Sequence, residues 1–259
     1  MRFHMLFEQS GTFRDVFSKY GHDCKCYDIQ NEYGKTDVRI DLFQEIEMQF
    51  SRLACKYQYN SLDFSNCGCI YCWRNKLKEQ QCVTSIFEKM TPKKDFILAF
   101  FPCTYFSEMN ELLFRGFQRQ GKGEIKQNKD LKSIQKIIER NKKRSYFFEI
   151  WLKFCFVCQE LKIPTIIENP CGAFGRNFLT LYSPYEVSFK DRDRSDFGDK
   201  YKKATYYFAI NFEMKEKFEM FYDKNYELKS VHKVRGKERS EITPRYAENF
   251  YKRFLEGKV

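Results

Sequence analysis

Two short apolar runs constrain this chain more than any other feature. Phe96-Ile97-Leu98-Ala99-Phe100 leads into Phe101-Pro102-Cys103-Thr104, and Ile163-Pro164-Thr165-Ile166-Ile167 leads into Glu168-Asn169-Pro170. Short aromatic and β-branched runs of this kind read as buried strands of an open α/β sheet, which places its ligands at the carboxyl ends of its strands. Each run therefore hands one reactive side chain, the Cys103 thiol or the Glu168 carboxyl, to the same edge. A thiol facing a carboxyl group suits covalent attack on an electron-poor ring better than it suits hydrolysis.

The N-terminal segment supplies a partner for that edge. Met5-Leu6-Phe7 reads as a strand running into Glu8-Gln9-Ser10-Gly11-Thr12, followed by a helix with Phe13, Val16, Phe17 and Tyr20 on one face and Gly21 as its C′ residue. Cys24-Lys25-Cys26-Tyr27 forms a second strand ending at Asp28. Strand, loop, helix, strand and acid in this order, with about 20 residues from loop to acid, is the pattern of a nucleotide-binding half-fold. Asp37 to Asp41 reads as a third strand, and Leu42 to about Arg52 as a helix. Asp95 to Phe101 is the fourth strand, residues 107–128 read as a polar loop, and Asp130 to Leu161 as one long helix striped by Ile134, Ile137, Ile150, Trp151, Phe154 and Val157. Ile163 to Ile167 is the fifth strand and Tyr206 to Ile210 a later one, while Thr243-Pro244 is an N-cap and N1 pair opening a helix through Leu255. The whole of 1–259 reads as one α/β domain, with a cysteine-containing insertion over 53–94.

Composition narrows the partners. Lysine and arginine number 46 against 35 aspartate and glutamate, a net charge of +11 that favours a polyanion, nucleic acid ahead of a membrane surface. A solvated lysine-rich surface is the bland reading of the same excess. No stretch approaches the ~18–20 apolar residues that span a bilayer, and the N-terminus opens no signal peptide, so the expectation is a soluble, cytoplasmic protein without membrane contact. Eleven cysteines in such a chain point to reduced thiols or one metal rather than a disulfide framework. Within the insertion, Cys67-Gly68-Cys69-Ile70-Tyr71-Cys72 with Cys82 further on is a candidate four-thiolate knot for a structural zinc, with reduced thiols packed among aromatics as the other reading. Cys155 and Cys158, one turn apart on the long helix, read as core.

Cys103 carries the chemistry. A cysteine in a strand-to-loop bend near helix N-termini has the setting in which a thiol becomes a nucleophile, against the alternative of an inert buried cysteine. At these residues the chain resembles the DNA cytosine-5 methyltransferases, most of all the short phage-type members. Leu6-Phe7-Glu8-Gln9-Ser10-Gly11-Thr12-Phe13 resembles the family's first motif, whose turn holds S-adenosyl-L-methionine. Asp28 with Ile29 stands at the ribose-binding acid, Asp41 with Leu42 at the short acidic motif that meets the adenine amino group, and Phe101-Pro102-Cys103 at the motif of the catalytic thiol. Glu168-Asn169-Pro170 resembles the motif of the ring-binding glutamate. Arg192-Asp193-Arg194 resembles an Arg-x-Arg motif whose arginine, here Arg194, holds the base or the thiol's surroundings. Phe197-Gly198-Asp199, Tyr201 to Thr205 and Arg239-Ser240 into Ile242-Thr243-Pro244 are similar to late segments of the short enzymes.

The resemblance implies a Rossmann-like class I S-adenosylmethionine-dependent methyltransferase with a cysteine-rich insertion, working in the cytoplasm of a bacterial or phage-infected cell. It would use Cys103 to add to cytosine C6 in DNA, with Glu168 at N3, before methylation at C5. Chemistry on a base requires flipping it from a duplex or a single-stranded substrate. The stretch between Arg194 and Arg239 is too short for the separate target-recognition domain of the larger members. Duplex DNA, single-stranded nucleic acid and free nucleotides all stay open as substrates, as does a non-catalytic nucleic-acid-binding protein on the same fold.

Overall fold

The short apolar runs are strands of one sheet. A computed structural model of the chain describes residues 1–59, 84–106, 114, 117–119, 125–127, 129–171, 177–216 and 241–259. Strands β1 (Arg2–Leu6), β2 (Asp23–Asp28), β3 (Val38–Arg39), β4 (Asp95–Phe100), β7 (Thr165–Pro170), β8 (Phe189–Asp191) and β9 (Thr205–Ile210) form a seven-stranded sheet in the order β3-β2-β1-β4-β7-β9-β8. The pairings among β3, β2, β1, β4 and β7 are parallel, whereas β9 runs antiparallel to both β7 and β8. The order reverses between β1 and β4, which is the topological switch point where such sheets open a crevice at their carboxyl ends.

Continuous apolar runs are required because both faces of the sheet are covered. Along the strands, Phe3, Met5, Phe96, Leu98 and Ile166 face one layer, built by α1 (Thr12–Ser18), α5 (Pro244–Phe250) and the π-helical turn Tyr251–Leu255. Leu6, Ile97, Ala99, Ile167 and Phe208 face the other, built by α2 (Leu42–Tyr59), α3 (Leu131–Glu160) and the short α4 (Phe178–Tyr182). Trp151 of α3 is fully buried, with its ring edge-on to Phe101 at 5.4 Å and Phe208 at 4.9 Å. Burying an aromatic ring of this size is worth about 4–6 kcal/mol at most. Asp130 caps α3 by accepting a hydrogen bond from the Ser133 N–H at 2.9 Å, and Thr243 caps α5 through the Tyr246 N–H at 3.1 Å.

Several boundaries differ from expectation for identifiable reasons. β1 begins at Arg2, because both neighbours pair with it from there and Arg2 bonds Asp95 at 2.6 Å. α2 runs on to Tyr59, since neither glycine nor proline interrupts it after Leu42. The expected insertion over 53–94 therefore starts inside a helix. Its end is folded into the body, where Ser85 caps a 3₁₀ turn, Ile86–Lys89, whose Phe87 is fully buried. β7 extends through Pro170 because β9 pairs with it that far, so Glu168 lies within the strand rather than beyond it. In the stretch read as a loop, β5 (Phe117–Arg119) and β6 (Ile125–Gln127) form a small antiparallel pair. Cys67, Cys69, Cys72 and Cys82, and the Arg239-Ser240 motif, lie outside the described residues.

At the amino edge of the sheet, His4 bridges Asp95 (2.7 Å) and the Tyr27 hydroxyl (3.0 Å). Burial pulls the His4 pKa below its ordinary value of 6.5, against Asp95, which favours the charged ring. The unfolded chain then binds a proton that the folded chain refuses, so stability is full above the ordinary value and falls as pH drops through it. Denaturant midpoints measured between about pH 7.5 and pH 5.5 will decline, and His4→Gln will flatten that decline. The Asp95 carboxyl, held down by Arg2 and His4 against its own burial, loses its contribution only at lower pH.

Candidate active site

Each strand that ends at the switch point contributes a wall to one cavity of about 680 Å³. After β1 the chain turns through Phe7, at φ 58°, and Gly11, at φ +70°. That φ calls for glycine at position 11, and a side chain there would also displace the end of Arg14, whose Nη2 lies 2.8 Å from the Cβ position. The buried Glu8 carboxylate accepts the N–H groups of Ser10 (3.1 Å) and Gly11 (2.8 Å) and the Cys26 thiol (2.9 Å). The loop thus holds the amides at the start of α1 with its own anion, a favourable end for negative charge.

β2 delivers Asp28, which is buried and accepts the Gln30 N–H at 2.7 Å. Burial pushes the Asp28 pKa up, the backbone bonds of Gln30 and Ile29 opposing. Ile29 beside it is 57% exposed, an apolar side chain left open on the cavity wall. Asp41 caps α2, its Oδ1 accepting the N–H groups of Phe43 (3.0 Å) and Gln44 (3.3 Å). After β4, Phe101 enters the core, while Pro102 and Cys103 line the cavity in a turn closed by the Phe106 N–H on the Cys103 carbonyl at 3.0 Å.

The candidates from the first loop (Phe7, Glu8, Gln9 and Ser10) reach this cavity. So do Asp28 and Ile29, Asp41 and Leu42, and Pro102, Cys103, Glu168 and Arg194. Three do not. Gly11 turns the chain, Thr12 opens α1, and Phe13 is buried against Phe17, Phe100 and Phe250. Arg192 is exposed, so only the second arginine of its motif enters the site.

Glu168 and Arg194 meet at the far wall. Arg194 is fully buried in a 3₁₀ turn, Arg194–Phe197, and its Nε donates to Asp199 Oδ2 at 2.7 Å. Burial opposes its charge, but Asp199, with Tyr246 and Glu168, outweighs that and raises its pKa. Its Nη1 lies 3.6 Å from Glu168 Oε1, inside ion-pair range but beyond a hydrogen bond. Both atoms are buried without a hydrogen-bond partner. An orphaned buried polar atom costs about 1–3 kcal/mol, and both of these belong to residues that line the cavity.

Lys203 is the residue that sequence reasoning missed. β9 starts where β7 ends, Pro170 pairing with Thr205, so the residues just before β9 return to the edge that carries Glu168. Lys203 lines the cavity there, and its carbonyl accepts the Arg194 N–H at 3.1 Å. Burial and then Arg194 pull its pKa down, while Glu168, Cys103 and Asp199 favour its charge. Its only signal in the sequence was its place in the Tyr201 to Thr205 segment, where it stands beside the equally plausible Lys200 and Lys202.

The cavity is thereby divided. Glu8, Asp28, Glu32 and Asp41 gather carboxyl groups in one part of the wall, which also includes Glu241, while the Arg194 cation and the Lys203 amine stand with Cys103 and Glu168. Among the described residues, no group of histidine, cysteine, aspartate or glutamate is placed to hold a metal ion, and no helix is long and apolar enough to cross a membrane. Cys155 and Cys158 are fully buried, and burial pushes the Cys158 thiol up to about 12, which fits the expectation of core packing. No family model matches the chain, and no curated protein matches its sequence.

Proposed function

We propose that the chain is a Rossmann-like class I methyltransferase that transfers a methyl group from S-adenosyl-L-methionine to C5 of cytosine in DNA through a covalent bond between Cys103 and C6. The observation that carries this reading is the orphaned pair, Glu168 Oε1 and Arg194 Nη1, buried in the cavity that also holds Cys103. A flat ring with an acceptor edge and a ring nitrogen is a ligand that such a pair can satisfy.

The residues present fit the donor. The acidic half of the cavity suits a ligand bearing sulfonium and ammonium charges. The Asp28 carboxylate suits ribose hydroxyls, and Ile29, Leu42 and Phe43 offer apolar surface to a purine. With Asp41 Oδ1 given to the helix cap, Oδ2 is the oxygen left for an amino group. When bound, the donor supplies an electrophilic methyl group.

On the other side, the Cys103 sulfur adds to C6 and makes C5 nucleophilic. Glu168 Oε1 meets N3 and supplies the proton that neutralises charge building in the ring; once C5 carries the methyl group, its proton leaves to water, the C6–S bond breaks to free the Cys103 sulfur, and the N3 proton returns to Glu168. Arg194, held by Asp199, stands in ion-pair range of Glu168, and Lys203 lines the wall near the Cys103 sulfur.

Mass spectrometry of DNA incubated with the protein and a methyl-labelled donor will find 5-methylcytosine. Label on free cytidine nucleotides and none on DNA would transfer the reading to a nucleotide enzyme. No label on either, with donor bound, would reject methyl transfer. By calorimetry, Asp28→Ala will weaken donor binding by about 10–100-fold, the worth of hydrogen bonds to a charged group.

A further inference from the structure

The first half of α3 carries no buried side chain from Leu131 to Lys143. The helix enters the body at Arg144, whose guanidinium lies 3.4 Å from the Phe114 ring and 4.9 Å from the Phe178 ring. Its direction is fixed by the topology. α3 connects the carboxyl edge, where β4 ends, to the amino edge, where β7 begins, so its N-terminal half lies on the active-site side. Phe147 lines the cavity itself. At 1.5 Å per residue, the helix extends about 24 Å from Phe147 back to Leu131.

That exposed length carries Lys132, Lys136, Arg140 and Lys143. At 100° per residue these four fall within about 80° of one another, on one face, and successive i, i+4 members are about 6 Å apart along the axis. Lys132, Lys136 and Lys143 are exposed, and none pairs with a carboxylate among the described residues. Ion pairs are formed freely elsewhere on the surface, Lys153 bonding both Glu47 and Glu149 at 2.6 Å.

We infer that this face of α3 is a phosphate-binding ridge that guides a nucleic-acid strand to the cavity. The inference rests on the proposed function and names the partner of that site as a polynucleotide rather than a free nucleotide. A nucleic acid offers a phosphate about every 3.4 Å of each strand in a duplex, so cations every ~6 Å find phosphates whatever the sequence. Such a ridge supplies affinity and register without base readout. The opposite face, with Leu131, Ile134 and Ile138 exposed, gives the helix some amphipathic character, and an anionic membrane surface is therefore the competing occupant.

The test is binding of fluorescent single-stranded and duplex DNA by anisotropy, over a salt series and without donor. The triple variant Lys132→Gln, Lys136→Gln, Lys143→Gln will bind at least tenfold more weakly, with the slope of log affinity against log salt reduced by about 2 to 3. The matching triple arginine variant will keep the wild-type slope. Unchanged DNA binding in the glutamine variant overturns the ridge. So does loss of binding to phosphatidylserine vesicles with DNA binding intact. A ridge-dependent slope in a protein that methylates nothing keeps the ridge and rejects the chemistry, whereas methylated DNA with an unaffected slope does the reverse.

Discussion

Cys103→Ala will abolish both methyl transfer and the covalent adduct with DNA carrying 5-fluorocytosine. The natural ring loses a proton from C5 after methylation, and that loss expels the cysteine. Fluorine at C5 cannot leave as a proton, so the wild-type protein is trapped on the ring through its sulfur. The trap appears as a DNA-linked band that survives denaturation. Alanine offers no sulfur, and turnover will fall by on the order of 10⁶-fold, the scale seen when a covalent nucleophile is removed from a hydrolase. The measurement is specific to this residue because the other free thiols among the described residues are placed differently. Cys24 donates to the His22 carbonyl and Cys26 to Glu8, Cys155 and Cys158 are sealed in the core, and Cys171 follows Pro170 outside the lining, so none of the five lines the cavity. An adduct formed by the alanine variant would remove Cys103 from the chemistry.

How much of this was legible in advance follows from which forces are local. Phe96 to Phe100 and Ile163 to Ile167 read as strands because a sheet covered on both faces needs apolar residues at every position. The long helix was legible to within a residue because Asp130 is a strong cap and the chain breaks after Leu161. Asp28, the last residue of β2, and Glu168, inside β7, were legible because the strands that present them were legible. What failed was set at a distance. Lys203 joins the site only because β9 returns antiparallel to β7, and one lysine in a chain with 46 lysines and arginines announces nothing by itself. Gly11, Thr12 and Phe13 shared a motif with the lining residues, but the left-handed turn at Gly11 redirects the chain into α1 and puts Phe13 in the core. β8 and β5 have three residues each, too few for any period to show.

Asp199→Ala will cost about 3–5 kcal/mol of folding stability, the penalty for leaving a buried charge unpaired. Asp199 and Arg194 are both fully buried, and Asp199 holds the Nε at 2.7 Å. Glu168 cannot take over, since its nearest oxygen stands 3.6 Å from Nη1. The loop around the pair has little room to relax. Gly198, at φ +96°, closes it against Arg245, whose Cγ would lie 2.8 Å from any added Cβ. Removing the cation as well, in Asp199→Ala with Arg194→Met, will restore most of the loss, because an apolar replacement needs no partner. Glu168→Gln provides the contrast. It leaves the Arg194–Asp199 pair intact and keeps the shape of the side chain, so the unfolding free energy will change by less than about 1 kcal/mol. Methyl transfer will nevertheless fall by about 10²–10³-fold, because the amide cannot supply the proton at N3. A site built only for structure predicts the reverse, with Glu168 mattering to folding and not to rate. The opposite ordering of these variants, by urea denaturation and by methyl transfer, separates the residue that meets the ring from the one that holds its neighbour.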